Sequence, residues 1–305
     1  MFDTNYTRIA APELKQWMDE GRAFTLLDVL PAEVFAARHL PGAKNACVFE
    51  VDFPEHLATA GVTDKSIAMV AYGEDNETRD ATEAASKLVR MGYAKVYLLA
   101  GGFQDWKRQE MPLEGTGNEP ADHKALPTDG SYAVATEDSG IVWTGRKAGG
   151  RHTGTLAVSS GTLRIVDGKV GGEFTVPLSS LTNTDLEDAG YRSMLLRHLL
   201  SDDFFFAERF PEAVFKIEQA EFIDGATPGA VNYHVRGELF LRGRAEILAF
   251  PLTVQPTEGG IVAEAHFDMD RTRWGALYGS GKFFRHLGMH LVNDMVSIQV
   301  HITAR

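Results

Sequence analysis

Cysteine is almost absent from this sequence: Cys47 stands alone among 305 residues. A single thiol excludes an intramolecular disulfide and any cysteine-rich metal cage, which agrees with a reducing compartment. No stretch approaches the ~20 consecutive apolar residues that a membrane span requires. The opening MFDTNYTRIAAPEL has neither a basic start nor an apolar signal core, so a cytoplasmic protein without a membrane span is expected. Runs of Lys or Arg are missing too, and 30 basic against 42 acidic residues leave a net charge of -12, so nucleic acid is not an expected partner. There is no Ser-His-Asp elbow, no phosphate loop and no dinucleotide fingerprint. The ten histidines offer no i, i+4 pair on a helix, so neither a metal nor a tightly held cofactor is expected.

What is present suffices for a large core: 44% hydrophobic and 10% aromatic residues, an ordinary globular composition. The length favours two domains, and the hydrophobic pattern divides accordingly. Up to about Leu113, short apolar runs alternate with helical segments. Phe24 to Val29 and Ile67 to Tyr72 read as buried strands. Thr82 to Met91 reads as a helix stopped by Gly92, and Lys95 to Leu99 as a third strand. That order predicts an α/β domain with a mainly parallel sheet. From Glu114 to Gly130 there is Gly, Pro and polar sequence without period, a linker. Beyond Ser131 the period becomes two: Tyr233, Val235, Gly237, Leu239 and Leu241 alternate with His234, Arg236, Glu238 and Phe240, and Val296, Ile298, Val300 and Ile302 with Ser297, Gln299, His301 and Thr303. Asp167-Gly168 is a preferred type I′ hairpin pair. About eight antiparallel strands forming a barrel are predicted, interrupted by one helix over roughly Leu186 to Leu200 that places Met194, Leu195, His198 and Leu199 on one side. The expected domains are 1–115 and 131–305, with 116–130 between them.

In the first domain, Leu26-Leu27-Asp28-Val29, Glu33-Val34-Phe35, His39 to Ala43, Gly92-Tyr93, Gly101-Gly102-Phe103 and Trp106 closely resemble the rhodanese family. The resemblance implies a parallel sheet with flanking helices and a nucleophilic Cys at the tip of a strand, cradled by a loop of amide donors at a helix N-terminus. Such a cradle lowers a thiol pKa and holds anionic sulfur or phosphate. The family's Cys position matches Gly73, so the loop Gly73, Glu74, Asp75, Asn76, Glu77, Thr78, Arg79 carries no nucleophile. Its acids oppose thiosulfate, and Arg79 reads as an exposed first-turn residue or a remnant anion contact. Cys47 reads as a buried, inert thiol, with sulfur transfer through Cys47 or a partner's persulfide as the alternative.

In the second domain, Trp143 to Lys147, Gly150 to Gly154, Gly172, Phe174, Leu181 to Asp185, His198 to Phe205, Phe210 to Phe215, Arg236 to Gly243 and Phe267 to Gly275 resemble the YceI-like family. That resemblance implies a lipocalin-like barrel holding a long apolar chain, typically a polyisoprenoid, with His152, His198, Arg271 and Trp274 at its recurring positions. A cluster there would hold a phosphate or quinone head group; the alternative is that these residues satisfy backbone groups or pin turns. Phe174 and Leu239 are expected in the ligand wall. Gly172 and Gly237 either leave interior room or mark bulges in a solid barrel. The leading expectation is binding or carriage of an isoprenoid- or quinone-like lipid, with the first domain as a silent docking or regulatory module for a protein partner. An interaction protein with an empty barrel is the third reading, and a homodimer is left open.

Overall fold

Leucine, valine and alanine runs flanked by helix-forming segments assemble, in this computed structural model, into two compact units, Met1–Ala121 and Asp122–Arg305. The structure describes residues 5–118, 120, 128–257 and 259–305. Most of the expected linker, at 119 and 121–127, lies outside them; Thr116 and Gly117 still donate backbone bonds to Ala36 and Ala37.

The first unit runs β1 (Thr7–Ile9), α1 (Ala11–Asp19), β2 (Phe24–Asp28), α2 (Ala32–Ala37), β3 (Lys44–Asn45), α3 (Phe53–Thr59), β4 (Ala68–Tyr72), α4 (Asp80–Arg90), β5 (Val96–Leu99) and α5 (Gly102–Arg108). The five strands form one parallel sheet in the order β1-β5-β4-β2-β3. Both faces are covered, which is why β2 and β4 read as continuous apolar runs. Leu27, Met69 and Ala71 pack on one side against Ala81, Ala84, Ala85 and Leu88 of α4, the i, i+3, i+4, i+7 stripe of a helix. Leu26, Val70 and Tyr72 pack on the other with Phe103 and Trp106. This is the rhodanese-like architecture expected from the sequence.

The second unit contains β6 (Gly130–Ala133), β7 (Gly140–Lys147), β8 (Gly150–Ala157), β9 (Ser160–Val166), β10 (Lys169–Pro177), α6 (Ala189–Leu200), β11 (Glu212–Phe222), β12 (Tyr233–Leu241), β13 (Arg244–Thr257), β14 (Gly260–Asp270) and β15 (Met295–Ala304). One antiparallel sheet orders them β6-β9-β10-β11-β12-β13-β14-β15-β7-β8. It has ten strands where about eight were expected. The hairpin β7–β8 carries little hydrophobic alternation in its Gly-, Arg- and Lys-rich sequence, and so is not countable by period. At the β9–β10 turn Asp167 and Gly168 have φ of 50° and 70°, the left-handed pair that a type I′ turn requires. The sheet curls on itself: Ala133 and Arg305 exchange backbone hydrogen bonds of 2.7 and 2.9 Å, and Val134 bridges Ala304, so β6 touches both β9 and β15. The result is lipocalin-like. No helix among the described residues is long and apolar enough to cross a membrane.

Candidate functional site

Strands that curl with alternating side chains turn every second residue inward. The inward set here, including Leu163, Phe174, Val235, Leu239, Ala263 and Val300, surrounds a cavity of about 440 Å³. That volume falls within the usual range of ligand sites. Phe174 and Leu239, expected in a ligand wall, both line this cavity. Phe250 lies between Phe215 and Phe267, with ring centroids 5.5 and 4.3 Å away, and the three rings form one stretch of the wall.

Gly172 and Gly237 do not leave interior room, and neither lines the cavity. A Cβ at Gly172 would meet the Thr162 carbonyl oxygen at 2.4 Å, and one at Gly237 the Lys216 carbonyl oxygen at 2.4 Å and the Phe215 ring at 2.7 Å. Gly237 pairs with Ile217 where the β11–β12 register slips before Gln219. At Gly237 the bare backbone lies opposite a bulge and under the Phe215 ring, whereas Gly172 sits in unbroken register and allows the close approach of the Thr162 carbonyl.

At one end the cavity is bordered by α6 and by the stretch from Ala276 to Asn293. Arg271, Trp274, His152 and His198 all line it, and each already has partners. Arg271, 5% exposed, donates from Nε to Asn293 (3.0 Å) and from its Nη atoms to the carbonyls of Ala276, Tyr278 (2.8 Å) and Val292 (3.2 Å); Asp294 lies 3.6 Å away. Trp274 is fully buried and donates Nε1–H to the Leu239 carbonyl at 2.8 Å. Both are fasteners of the rim rather than free donors. His152 Nδ1 lies 2.9 Å from Asp185 and His198 Nε2 3.0 Å from Asp203. Burial raises the Asp185 carboxyl, but bonds from the Thr153 amide, His152 and Asn183 together hold it below its ordinary value. His198 also meets Phe204 and Tyr278 edge-on, at 5.1 and 4.6 Å.

Two features of this end are not readable from the periodicity. The helix starts at Ala189 with Asp188 as its cap, accepting from the Tyr191 amide at 2.8 Å. None of its residues is fully buried: Leu195, His198 and Leu199 border the cavity, whereas Met194, expected beside them, is 54% exposed. A helix over a hollow has no packed core to claim a whole face. The second is Trp143, 7% exposed, which lines the cavity and whose Nε1–H has no hydrogen-bond partner. Its place in the Trp143-Thr144-Gly145 motif is visible in the sequence; that its donor is enclosed without a partner is not.

In the first unit, Gly73 follows β4 directly. The Asp80 carboxylate occupies the space beside it: a Cβ on Gly73 would lie 2.2 Å from Asp80 Oδ1. That carboxylate accepts from the Glu74 amide (3.1 Å), the Ala81 amide (2.7 Å) and the Thr78 hydroxyl (3.0 Å), so the cradle is filled from within. The loop's acids repel less than their count suggests. Glu74 pairs with Arg38 at 2.7 Å and accepts from Gln104 at 2.7 Å; Asp75 accepts the Glu77 and Thr78 amides; Asn76 accepts from Gly101. Arg79 pairs with Glu83 at 2.9 Å on the helix surface. Cys47 is buried at 7% exposure.

Beneath this loop Asp28 is fully buried. Burial pushes its carboxyl from 3.8 up to about 6, against the Leu30 amide bond, Tyr72, Arg38 and His39, which lower it. The native state thus binds a proton that the unfolded chain has already released between these values. Stability falls as pH rises from about 4 to 6 and then levels off. Asp28→Asn is therefore expected to stabilise the first unit by about 3 kcal/mol at neutral pH and to add nothing near pH 4. Amide hydrogen exchange at β2 and β4 across that pH range checks it.

No group of three or more His, Cys, Asp or Glu positioned for a metal occurs among the described residues. His286 and His290 do stand four apart in the sequence, but their segment contains only a 3-10 turn at Gly288–His290, not an α-helix.

Comparison with known proteins follows the same division. A family model described as YceI-like domain matches residues 132–304, and one described as rhodanese-like domain matches residues 10–109. The thiosulfate sulfurtransferase GlpE of Pseudomonas aeruginosa is 25% identical over 107 residues, covering 35% of this chain and 88% of that protein. Among solved structures, BcnA of Burkholderia cenocepacia is 21% identical with a TM-score of 0.44, over 56% of this chain and 99% of that one. A polyisoprenoid binding domain from Saccharophagus degradans, implicated in plant cell wall breakdown, is 12% identical with a TM-score of 0.41, over 57% of this chain and 97% of that one.

Proposed function

We propose that this chain, which belongs to the YceI-like domain family, binds and carries a long apolar molecule of isoprenoid type in its C-terminal unit, with its rhodanese-like domain as a catalytically silent docking or regulatory module. The observation that carries the reading is the hydrocarbon-walled cavity of about 440 Å³ inside the curled sheet. At ~0.8 kcal/mol per CH₂, a ligand of about 20 carbons gains roughly 16 kcal/mol, more than the ordering cost of roughly 4–15 kcal/mol. Few polar contacts are needed. Arg271 and Trp274, whose polar groups are already bonded to backbone carbonyls, shape the wall. The single thiol fits a carrier of a reducing compartment such as the cytoplasm.

Organic extraction of the purified full chain, followed by mass spectrometry, tests this. A retained apolar lipid in near-equal molar amount is expected. Recovery of none, together with failure of the chain to take up an added polyprenol, overturns the proposal.

Sulfur transfer finds no support in the geometry, since Cys47 is buried and Asp80 fills the space beside Gly73. A cysteine introduced at Gly73 would also face a carboxylate, which disfavours the thiolate that must attack. Gly73→Cys is accordingly expected to show no thiosulfate–cyanide sulfurtransferase rate above that of the unaltered chain. A clear gain would show that the domain is one substitution from activity.

A further inference from the structure

The cavity's open end carries an unpartnered apolar rim, and we propose that this rim docks on a membrane surface bearing anionic lipid, so that the barrel exchanges its ligand directly with the bilayer. The inference rests on the carrier reading above and adds where loading occurs.

Three segments form the rim. On α6, Tyr191 and Met194 are 65% and 54% exposed, while Leu195, His198 and Leu199 of the same helix border the cavity. From Gly281 to Leu291 every residue except Leu287 is exposed, among them Phe283 (54%), Phe284 (48%) and Met289 (76%). Met289 and His290 also border the cavity, so the greasy surface is continuous with the greasy interior. The β7–β8 turn joins them: the Ala148 amide donates to Leu291 and the Asn293 amide to Arg146, both at 2.9 Å. His198 against Tyr278 brings α6 to the same place. Two adjacent Phe side chains held in water are costly, and an apolar patch of this kind marks an interaction site.

Charge selects the occupant. The chain has more acids than bases, yet neither Arg271 to Asn293 nor Gly145 to Ala157 contains an Asp or Glu; the acids of this end, Asp185, Glu187, Asp188, Asp202 and Asp203, flank α6. Arg285, Arg197, Lys147 and Arg151, all exposed, belong to these segments or adjoin them in sequence. The carboxylates bonded at this rim are already engaged: Asp203 with His198, Asp270 with Lys282. Exposed aromatic and Met side chains among basic ones suit the interface of an anionic bilayer, where rings enter the head-group layer and Lys or Arg meet lipid phosphates. The ligand's own solubility points the same way, since an apolar chain long enough to need this cavity resides in membrane.

Flotation of the full chain with vesicles of mixed phosphatidylglycerol and phosphatidylcholine tests the proposal, alongside binding of solanesol presented in detergent micelles. The chain is expected to float with the mixed vesicles and much less with phosphatidylcholine alone. Phe283→Ser/Phe284→Ser and, separately, Arg285→Glu should each weaken vesicle binding about tenfold. Both variants should keep solanesol binding in micelles, which also shows that they are folded. A chain that binds solanesol yet fails to float overturns the membrane proposal and leaves the carrier standing; the rim then faces a protein. Flotation unchanged by either variant overturns it equally. Flotation that responds to both variants, with no solanesol bound, upholds the docking surface and removes the carrier reading instead.

Discussion

Arg271→Ala is expected to destabilise the second unit by about 3–5 kcal/mol, the range for removing one side of a buried charged network. The guanidinium is a hub: its N–H groups reach the carbonyls of Ala276, Tyr278, Val292 and Asn293, which lie at the two ends of one long excursion between β14 and β15. Alanine leaves those carbonyls without donors, and each buried orphan costs about 1–3 kcal/mol unless water reaches it. Arg271→Lys should rescue little, because an ammonium is a point donor and cannot span four separated acceptors. Burial lowers the Arg271 pKa against Asp294 and Asp270, which raise it, but a guanidinium stays charged throughout the working range. The loss should therefore be nearly independent of pH between about 6 and 9. Urea unfolding with hydrogen exchange over residues 276–293 measures it. A change below about 1 kcal/mol would mean that the excursion is held by its apolar contacts instead.

That same network shows which parts of the molecule the sequence makes legible. Period-two alternation at Tyr233 to Leu241 and Val296 to Ile302, and the Asp167-Gly168 pair, are local properties of chain geometry and survive folding unchanged. The parallel sheet is equally local: Leu26-Leu27 and Met69-Val70 read as buried strands because both faces of the sheet are covered. Residue roles at the site are a different matter. Arg271 and Trp274 stand in a recognisable motif, yet whether a cation in that motif binds a ligand or four carbonyls depends on residues about 20 positions away, at Val292 and Asn293. Gly237 could be read as space or as a bulge, and only the Ile217–Gln219 slip on the neighbouring strand decides it. Met194 was placed with Leu195 by helical spacing, but a helix over a hollow lacks the packing that makes spacing decisive. The filling of the Gly73 cradle by Asp80 is a contact across a loop that no period encodes.

Ala263→Phe separates a hollow barrel from a solid one. Ala263 lies on β14 between Val254 and Ile302 of the neighbouring strands, is 4% exposed and borders the cavity. In a packed core the added ring would have nowhere to go, and overpacking would cost about 1–3 kcal/mol with no ligand to lose. In a cavity of about 440 Å³ the ring enters vacant space, so stability should hold within about 1 kcal/mol, since no neighbour has to move. The ligand then yields the room. Displacing about four carbons forfeits roughly 3 kcal/mol, on the order of a hundredfold in affinity. The expected pattern is unchanged unfolding by urea together with a retained-lipid content, and a polyprenol affinity, reduced by that factor. The opposite pattern, a destabilised chain with undiminished lipid, would place the ligand outside this wall. The two readouts move independently because one reports protein–protein contact at Ala263 and the other reports the volume left for a guest.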